Sequence, residues 1–136
     1  MPRHKHVERL LAKAAQDEYV VHRLLPDDEA PVEAFGFHAQ QAAEKLLKAV
    51  LVAAGARYPR THRLAELIDL LRATGVVVPV EFDDLRHLTP FAVEFRYDIA
   101  PDEDETPLDK KMVCKSLQEL RAWVGATVAQ LMPSER

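Results

Sequence analysis

The sequence predicts an all-α protein, an up-and-down bundle of four to five helices. Apolar residues recur at spacings of three and four in five segments, as they do on the buried face of a helix. The nine prolines fall mostly between these segments. The one strand-like run, residues 76–80, is interrupted by Pro79 and has no partner strand. Because the connections are short, neighbouring helices should run antiparallel.

The first two segments have the longest apolar stripes. A helix is expected over about residues 5–25, where the sequence PDDEAP ends it. The second helix, about residues 32–54, has the broadest apolar face, and Gly55 follows it as a helix-ending glycine. Its polar side carries Gln40, Glu44 and Lys48 at spacings of four, with Gln41 and Lys45 beside them. We expect this side to face solvent, with the glutamate and the last lysine as an exposed ion pair.

Three further segments complete the predicted bundle. The third helix should follow the sequence RYPRTH, with Thr61 as its N-cap, and end at Gly75. The fourth is expected over about residues 81–97, and Pro90 should kink or split it. After an acidic loop, the fifth is expected over about residues 107–131.

The composition fits one folded domain. Of the 136 residues, 48% are hydrophobic and 29% charged, so we predict a single helical domain over residues 1–136 with its core at about 5–131. The net charge of -4 predicts no overall basic field, although it leaves room for a local basic patch. The longest apolar run, residues 49–54, is too short to span a bilayer, and we expect a cytoplasmic protein without membrane contact.

No motif predicts metal or nucleophilic chemistry, so we expect no metal ion and no cofactor. His4 and His6 flank one lysine and are expected to be solvated rather than zinc ligands. Cys114, the only cysteine, excludes an internal disulfide. It should pack within the last helix, although Lys110 and Lys111 one turn earlier could favour its thiolate. Gly-x-Ser-x-Gly elbows, phosphate loops and dinucleotide fingerprints are absent from the sequence.

Cationic and aromatic side chains occur where the bundle should bring them together. They are Arg57, Tyr58, Arg60 and His62 between the second and third helices, Lys45 on the second, and Arg96 and Tyr97 at the end of the fourth. In an antiparallel bundle, the end of the second helix, the start of the third and the end of the fourth should meet. Guanidinium groups beside tyrosines can bind a phosphate and a stacked base. The alternative is that Arg96 pairs with an acid and that the tyrosines are half-buried structural residues.

Three stretches together resemble the HEPN family, named for higher eukaryote and prokaryote nucleotide-binding domains. They are FHAQQAAEKLLKAVLVAAG, YPRTHRLAELIDLL and LTPFAVEFRYD, and the likeness spans about residues 5–130. The resemblance implies a bundle of four to five helices that forms a homodimer. It also implies a partner, a minimal nucleotidyltransferase encoded beside it, with the two proteins acting as a toxin–antitoxin pair.

Catalytic members of the HEPN family are metal-independent ribonucleases, and their motif is an arginine followed after four to six residues by a histidine. Arg96 stands where the resemblance places the arginine, but acids rather than a histidine follow it. Arg57 and His62 have the required spacing in an earlier connection, which we interpret as coincidence. His87 lies nine residues before Arg96. The chain therefore departs from the catalytic motif at its histidine.

Three functions remain open. The first is a nucleotide- or RNA-binding HEPN protein of a toxin–antitoxin pair, with Arg96 and Tyr97 contacting phosphate and base and Arg57, Arg60, His62 and Lys45 assisting. The second is a metal-independent endoribonuclease toxin, in which Arg96 acts with His62 or His87 as the proton-transfer group. The third is a non-catalytic helical dimerisation domain, whose polar groups only shape an interface.

Overall fold

The computed structural model describes residues 2–92 and 108–133, and every regular element in these two ranges is helical. The elements are α1 (Arg3–Leu24), α2 (Val32–Ala53), α3 (Leu64–Ala73), a 3-10 helix (Val80–Phe91) and α4 (Lys110–Leu131). The prediction of an all-α bundle of four to five helices is confirmed. Within the described ranges, no helix is both long enough and apolar enough to cross a membrane.

α2 forms the centre of the bundle and contacts every other helix. Its residues are buried on almost all sides because α1 packs along it and α4, α3 and the 3-10 helix cover the rest. The large side chains in this core are fully buried, among them Phe35, Leu46, Leu47, Leu51, Leu67 and Leu120. Burying each such side chain contributes about 1.5–3 kcal/mol, so the broad apolar face of α2 organises the fold.

Glycines and one aspartate mark the helix ends. Gly55 and Gly75 have φ angles of 79° and 95°, in the left-handed region that favours glycine, as predicted for the ends of α2 and α3. α4 begins at Lys110, where the Asp109 carboxylate accepts a hydrogen bond from the N–H of Met112 at 3.1 Å. The start predicted at residue 107 lies outside the described residues.

The prediction of Thr61 as the N-cap of α3 is wrong by two residues. The helix begins at Leu64 and its N-cap position is Arg63. The Thr61 hydroxyl instead accepts a hydrogen bond from the N–H of Arg63 at 3.1 Å and donates one to Glu66 at 2.9 Å. Thr61 therefore closes a local turn that leads into the helix.

The predicted fourth α-helix is a 3-10 helix over its described part. Its buried residues Phe82, Leu85 and Leu88 are spaced by three, which places them on one face of a helix with three residues per turn. Pro90 lies inside it, where an α-helix would lose a hydrogen bond and meet a steric clash. Residues 93–97 of the predicted segment lie outside the described ranges.

The end of the 3-10 helix is held against α3 and α2. The Thr89 hydroxyl accepts a hydrogen bond from the N–H of Leu64, the first residue of α3, at 3.3 Å. Two residues later, the ring of Phe91 packs so closely on Gly36 of α2 that a Cβ there would lie 2.4 Å from it. The described part of the 3-10 helix thus ends beside the start of α3.

Candidate functional site

The segment between α2 and α3, residues 55–63 and here termed the connector, runs back along α2. Near its start, the Lys48 ammonium lies 5.0 Å from the ring centroid of Tyr58. At its end, the His62 carbonyl accepts a hydrogen bond from Gln40 Nε2 at 2.7 Å. Gln40 and Lys48 are two turns apart on α2. The start of α3 therefore lies beside the middle of α2, and not at its C-terminal end as predicted.

Glu44 is the hub of a hydrogen-bond network under the connector. Its Oε1 atom lies 2.7 Å from Nδ1 of His62, and its Oε2 accepts a hydrogen bond from the Lys48 ammonium at 3.0 Å. Gln40 Nε2 lies 3.4 Å from the same Oε1. The carboxylate thus holds an imidazole and an ammonium group at once.

The prediction that this side of α2 faces solvent is wrong. The Glu44 and Lys48 side chains are only 6% and 12% exposed, and Gln40 is fully buried. The connector covers this side of the helix, so a polar stripe that solvent would otherwise hydrate makes its contacts within the protein. Gln40 Oε1 is buried without a hydrogen-bond partner among the described residues.

Lys45 belongs to a second polar cluster, on the α1 side of α2. Its ammonium lies 2.6 Å from Oδ2 of Asp17, and His38 Nδ1 lies 3.0 Å from Oδ1 of the same carboxylate. Lys45 projects about 100° around the helix from Glu44 because successive residues are related by that angle. The structure therefore gives Lys45 a role in joining α1 to α2 and does not bring it to the connector.

The outer face of the connector carries exposed cationic groups. Arg57, Arg60 and Arg63 recur at every third residue and are all exposed, and the His62 side chain is 59% exposed. Tyr58 is half-buried, and its hydroxyl lies 3.1 Å from Nε2 of His6 on α1. Of the predicted group, Arg57, Arg60 and His62 are exposed on this one short segment, and Arg63 joins them there.

A shallow open groove beside the connector is of mixed charge. It is lined by Arg57, Tyr58, Pro59, Glu66, Asp69, Leu70 and Ala73. The two acidic side chains, Glu66 and Asp69, come from α3. The Glu66 carboxylate also accepts a hydrogen bond from the Thr61 hydroxyl at 2.9 Å, so acidic groups of α3 lie close to the cationic residues of the connector.

The remaining predicted site residues fall elsewhere. Arg96 and Tyr97 lie outside the described residues. His87 is exposed on the 3-10 helix and makes no hydrogen bond within the described part of the chain. The structure describes the chain before Arg96 as far as Ala92. In this part, the Thr89 hydroxyl accepts a hydrogen bond from the N–H of Leu64, two residues after His62.

Two buried carboxylates, Glu44 and Asp17, were not predicted as site residues. Both orient an imidazole through its Nδ1 atom, and both also contact a lysine. A sequence signal for Glu44 exists, because it stands in the most apolar helix between two polar residues at spacings of four. Polar residues at such spacing in a helix that is buried all round indicate an internal network.

Cys114 is a packing residue. It lies buried in α4, and burial raises the pKa of its thiol. This confirms the packing interpretation over the activated thiolate. Among the described residues, no group of three or more His, Cys, Asp or Glu side chains could hold a metal ion.

Comparison with known proteins identifies one family. The sequence model of the HEPN domain matches residues 7–127, which include the connector and most of all five helical elements. Comparisons with curated proteins and with solved structures gave no significant match.

Proposed function

We propose that this chain, which belongs to the HEPN domain family, binds RNA or a nucleotide through the outer face of the connector. In this proposal it is the HEPN component of a toxin–antitoxin pair and works in the cytoplasm. The proposal takes the arginines and His62 as the groups that contact phosphate, and Tyr58 and Lys48 as the groups that hold the connector on α2.

The observation that carries the proposal is the row of exposed arginines on the connector. Arg57, Arg60 and Arg63 lie within seven residues, in a chain whose net charge is -4. Each guanidinium presents donors in a fixed fork that matches a phosphate. Because the net charge of the protein is negative, general charge attraction does not favour a polyanion, whereas a local basic patch does.

Arg96 and Tyr97 remain part of the proposal on sequence grounds. They follow four and five residues after Ala92, the last residue described before them, and the sequence resemblance places the phosphate-binding arginine at Arg96. An arginine and a tyrosine in succession can contact a phosphate and stack on a base. They would add to the cations of the connector rather than replace them.

Equilibrium binding tests the proposal. Fluorescence anisotropy of a labelled single-stranded RNA of mixed sequence, repeated over a range of salt concentrations, should give a Kd that weakens with salt. Each phosphate contact on a single strand contributes about -0.7 to the slope of log K against log salt. The double variant Arg60→Ala, Arg63→Ala should therefore reduce the magnitude of this slope by about 1.4. Unlabelled ATP, added as competitor, distinguishes nucleotide binding from binding of the RNA strand alone.

The matched control is Arg23→Ala. This arginine is exposed in the last turn of α1, about 25 Å along that helix from His6, which contacts the connector. The control should leave both the Kd and the salt slope unchanged. The proposal would be contradicted if neither RNA nor ATP binds the wild-type protein. It would also be contradicted if the salt slope of the Arg60→Ala, Arg63→Ala variant equals that of the Arg23→Ala control. Arg96→Ala in the same assay tests the sequence-based assignment separately.

The homodimer and the nucleotidyltransferase partner are further proposals that rest on the family. Light scattering after size exclusion should give twice the chain mass of 15.4 kDa. Co-expression with the reading frame beside this gene should allow a minimal nucleotidyltransferase to co-purify. A monomer at all concentrations would contradict the first proposal, and the absence of such a neighbouring frame would contradict the second.

A further inference from the structure

The N-terminal end of α1 meets the start of the connector. The Tyr58 hydroxyl lies 3.1 Å from Nε2 of His6, and the two ring centroids are 5.9 Å apart. The Arg3 guanidinium lies beside Gly55, where an added Cβ would be 3.2 Å from its Nη1 atom. The first residues of α1 and the first residues of the connector therefore form one surface.

Both segments of this surface are cationic. Residues 2–13 contain one acid, Glu8, and residues 55–63 contain none. The lysines and arginines of the first segment are Arg3, Lys5, Arg9 and Lys13, and those of the second are Arg57, Arg60 and Arg63. Each segment therefore has a net charge of +3, in a chain whose net charge is -4. A polyanion would be attracted to the two segments together.

These seven cations differ from most of the buried or half-buried ones in having no acid beside them. All seven are exposed, and none forms an ion pair within the described part of the chain. Glu8 instead lies 3.1 Å from Nε2 of His4. By contrast, four cations elsewhere contact a carboxylate directly: Lys45, Lys48, Arg72 and Arg121. The charge of the seven is thus free to act on a ligand.

Arg9 and Lys13 lie on the side of α1 that faces the connector. They follow His6 by three and seven residues, which places all three side chains within about 60° around the helix. Glu18, which binds Arg121 of α4, is about 120° from His6, on the other flank. Lys13 lies about 10 Å along the helix from His6. The cations of α1 therefore continue along the helix from its contact with the connector.

A strip of α2 lies between α1 and the connector. Glu44 contacts the connector, and the next residue, Lys45, contacts α1. The helical positions of Phe37 and Gln41 fall between these two directions, and both residues are half-buried. α1 and the connector thus flank this strip, with cations on both.

We propose that the surface that binds RNA extends from the connector over this strip to α1, where Arg9 and Lys13 contact phosphates; this rests on the proposed function. From their contact at His6 and Tyr58, α1 and the connector both run towards the start of α2, so one strand can lie along the strip. A mononucleotide carries its phosphates in one group, whereas a strand repeats them along its length and can reach both segments. The ligand of this site is a single RNA strand several nucleotides long.

The experiment measures the binding of labelled single-stranded RNA of about 12 nucleotides, within the range of about 4–16 that a small single-strand-binding domain covers. Fluorescence anisotropy gives the Kd at several salt concentrations. The double variant Arg9→Ala, Lys13→Ala should reduce the magnitude of the slope of log K against log salt by about 1.4, because two phosphate contacts are lost. When salt is raised about fourfold, the Kd of wild type should therefore weaken by about sevenfold more than that of the variant.

The matched control is the double variant Lys111→Ala, Lys115→Ala. These lysines are exposed on α4, four residues apart as Arg9 and Lys13 are, and their removal changes the net charge by the same amount. The slope of this control should equal that of wild type. Wild type should also bind the longer RNA more tightly than one of about 3 nucleotides, and Arg9→Ala, Lys13→Ala should narrow that difference.

The outcomes separate this inference from the proposed function. A slope that falls in Arg60→Ala, Arg63→Ala but not in Arg9→Ala, Lys13→Ala would overturn the inference and leave the proposed function standing. Equal Kd values for the short and the longer RNA would do the same. An equal fall in the Lys111→Ala, Lys115→Ala control would also overturn the inference, because net charge alone would explain the effect. RNA that does not bind wild type would remove both.

Discussion

Replacing Gly36 by alanine tests how the 3-10 helix is held against α2. Gly36 lies inside α2 and is buried, and the Phe91 ring packs directly on its Cα. At an ordinary helical position, glycine to alanine stabilises a protein by about 1 kcal/mol. At Gly36 the sign should be reversed because the space for a methyl group is already filled.

The magnitude follows from the contact distances. A Cβ on Gly36 would lie 2.4 Å from Cδ1 and 2.5 Å from Cγ of Phe91, whereas ordinary van der Waals contact begins at 3.4 Å. The ring would have to move by about 1 Å, and overpacking of this kind costs about 1–3 kcal/mol. After the gain of about 1 kcal/mol in helix propensity, Gly36→Ala should lower the free energy of unfolding by about 0–2 kcal/mol.

Gly125→Ala is the matched control. Gly125 lies inside α4, is exposed, and would have no heavy atom within 4 Å of an added Cβ. This variant should be stabilised by about 1 kcal/mol. Urea denaturation followed by far-UV circular dichroism gives both free energies, and the two variants should differ by about 1–3 kcal/mol.

A double-mutant cycle isolates the contact itself. In a Phe91→Ala background the clash is removed, so Gly36→Ala should become stabilising by about 1 kcal/mol. If Gly36→Ala stabilises the wild-type chain as much as Gly125→Ala does, the close packing of Phe91 on α2 is refuted. The placement of the 3-10 helix end against α2 would then lose its main support.

Three further predictions concern stability and reactivity. Asp109→Ala removes the side-chain cap of α4 and should cost about 1 kcal/mol, measured by urea denaturation against Asp109→Asn, which retains a capping oxygen. Leu120→Ala empties a fully buried site in α4 and should cost about 2–5 kcal/mol in the same assay; a loss below 1 kcal/mol would contradict the described core. Burial raises the pKa of the Cys114 thiol, so iodoacetamide at neutral pH should alkylate native protein much more slowly than urea-unfolded protein, and equal rates would refute that burial.

The α-helices could be predicted because their apolar stripes are long. The predicted first and second helices, residues 5–25 and 32–54, differ from α1 and α2 by no more than two residues at either end. Gly55 and Gly75 also allowed the ends of α2 and α3 to be predicted, since each glycine lies just after its helix with a positive φ angle. The fourth segment was assigned the wrong helix type because its apolar residues suit both periods. A strict spacing of three from Phe82 to Phe91, with Pro90 inside, favoured the 3-10 form.

The candidate site was predicted less well because it depends on tertiary packing. The connector has no periodicity, so nothing local indicated that it folds back over α2 and buries Glu44 and Lys48. Arg57, Arg60 and His62 were grouped from the sequence because they lie within six residues of one another, and all three are exposed in the structure. Lys45 was wrongly grouped with the connector residues. Helical spacing alone does not show whether a polar residue of α2 contacts the connector or α1, and Lys45 contacts Asp17 of α1.

The measurement that tests the central claim most directly is an NMR titration with RNA. Backbone amide spectra of a 15.4 kDa chain, recorded with increasing single-stranded RNA, locate the contact surface residue by residue. The account predicts that the largest shift changes lie in the connector, residues 55–63, and in the first turn of α3. Changes confined to the outer faces of α1 and α4, with none in the connector, would contradict it.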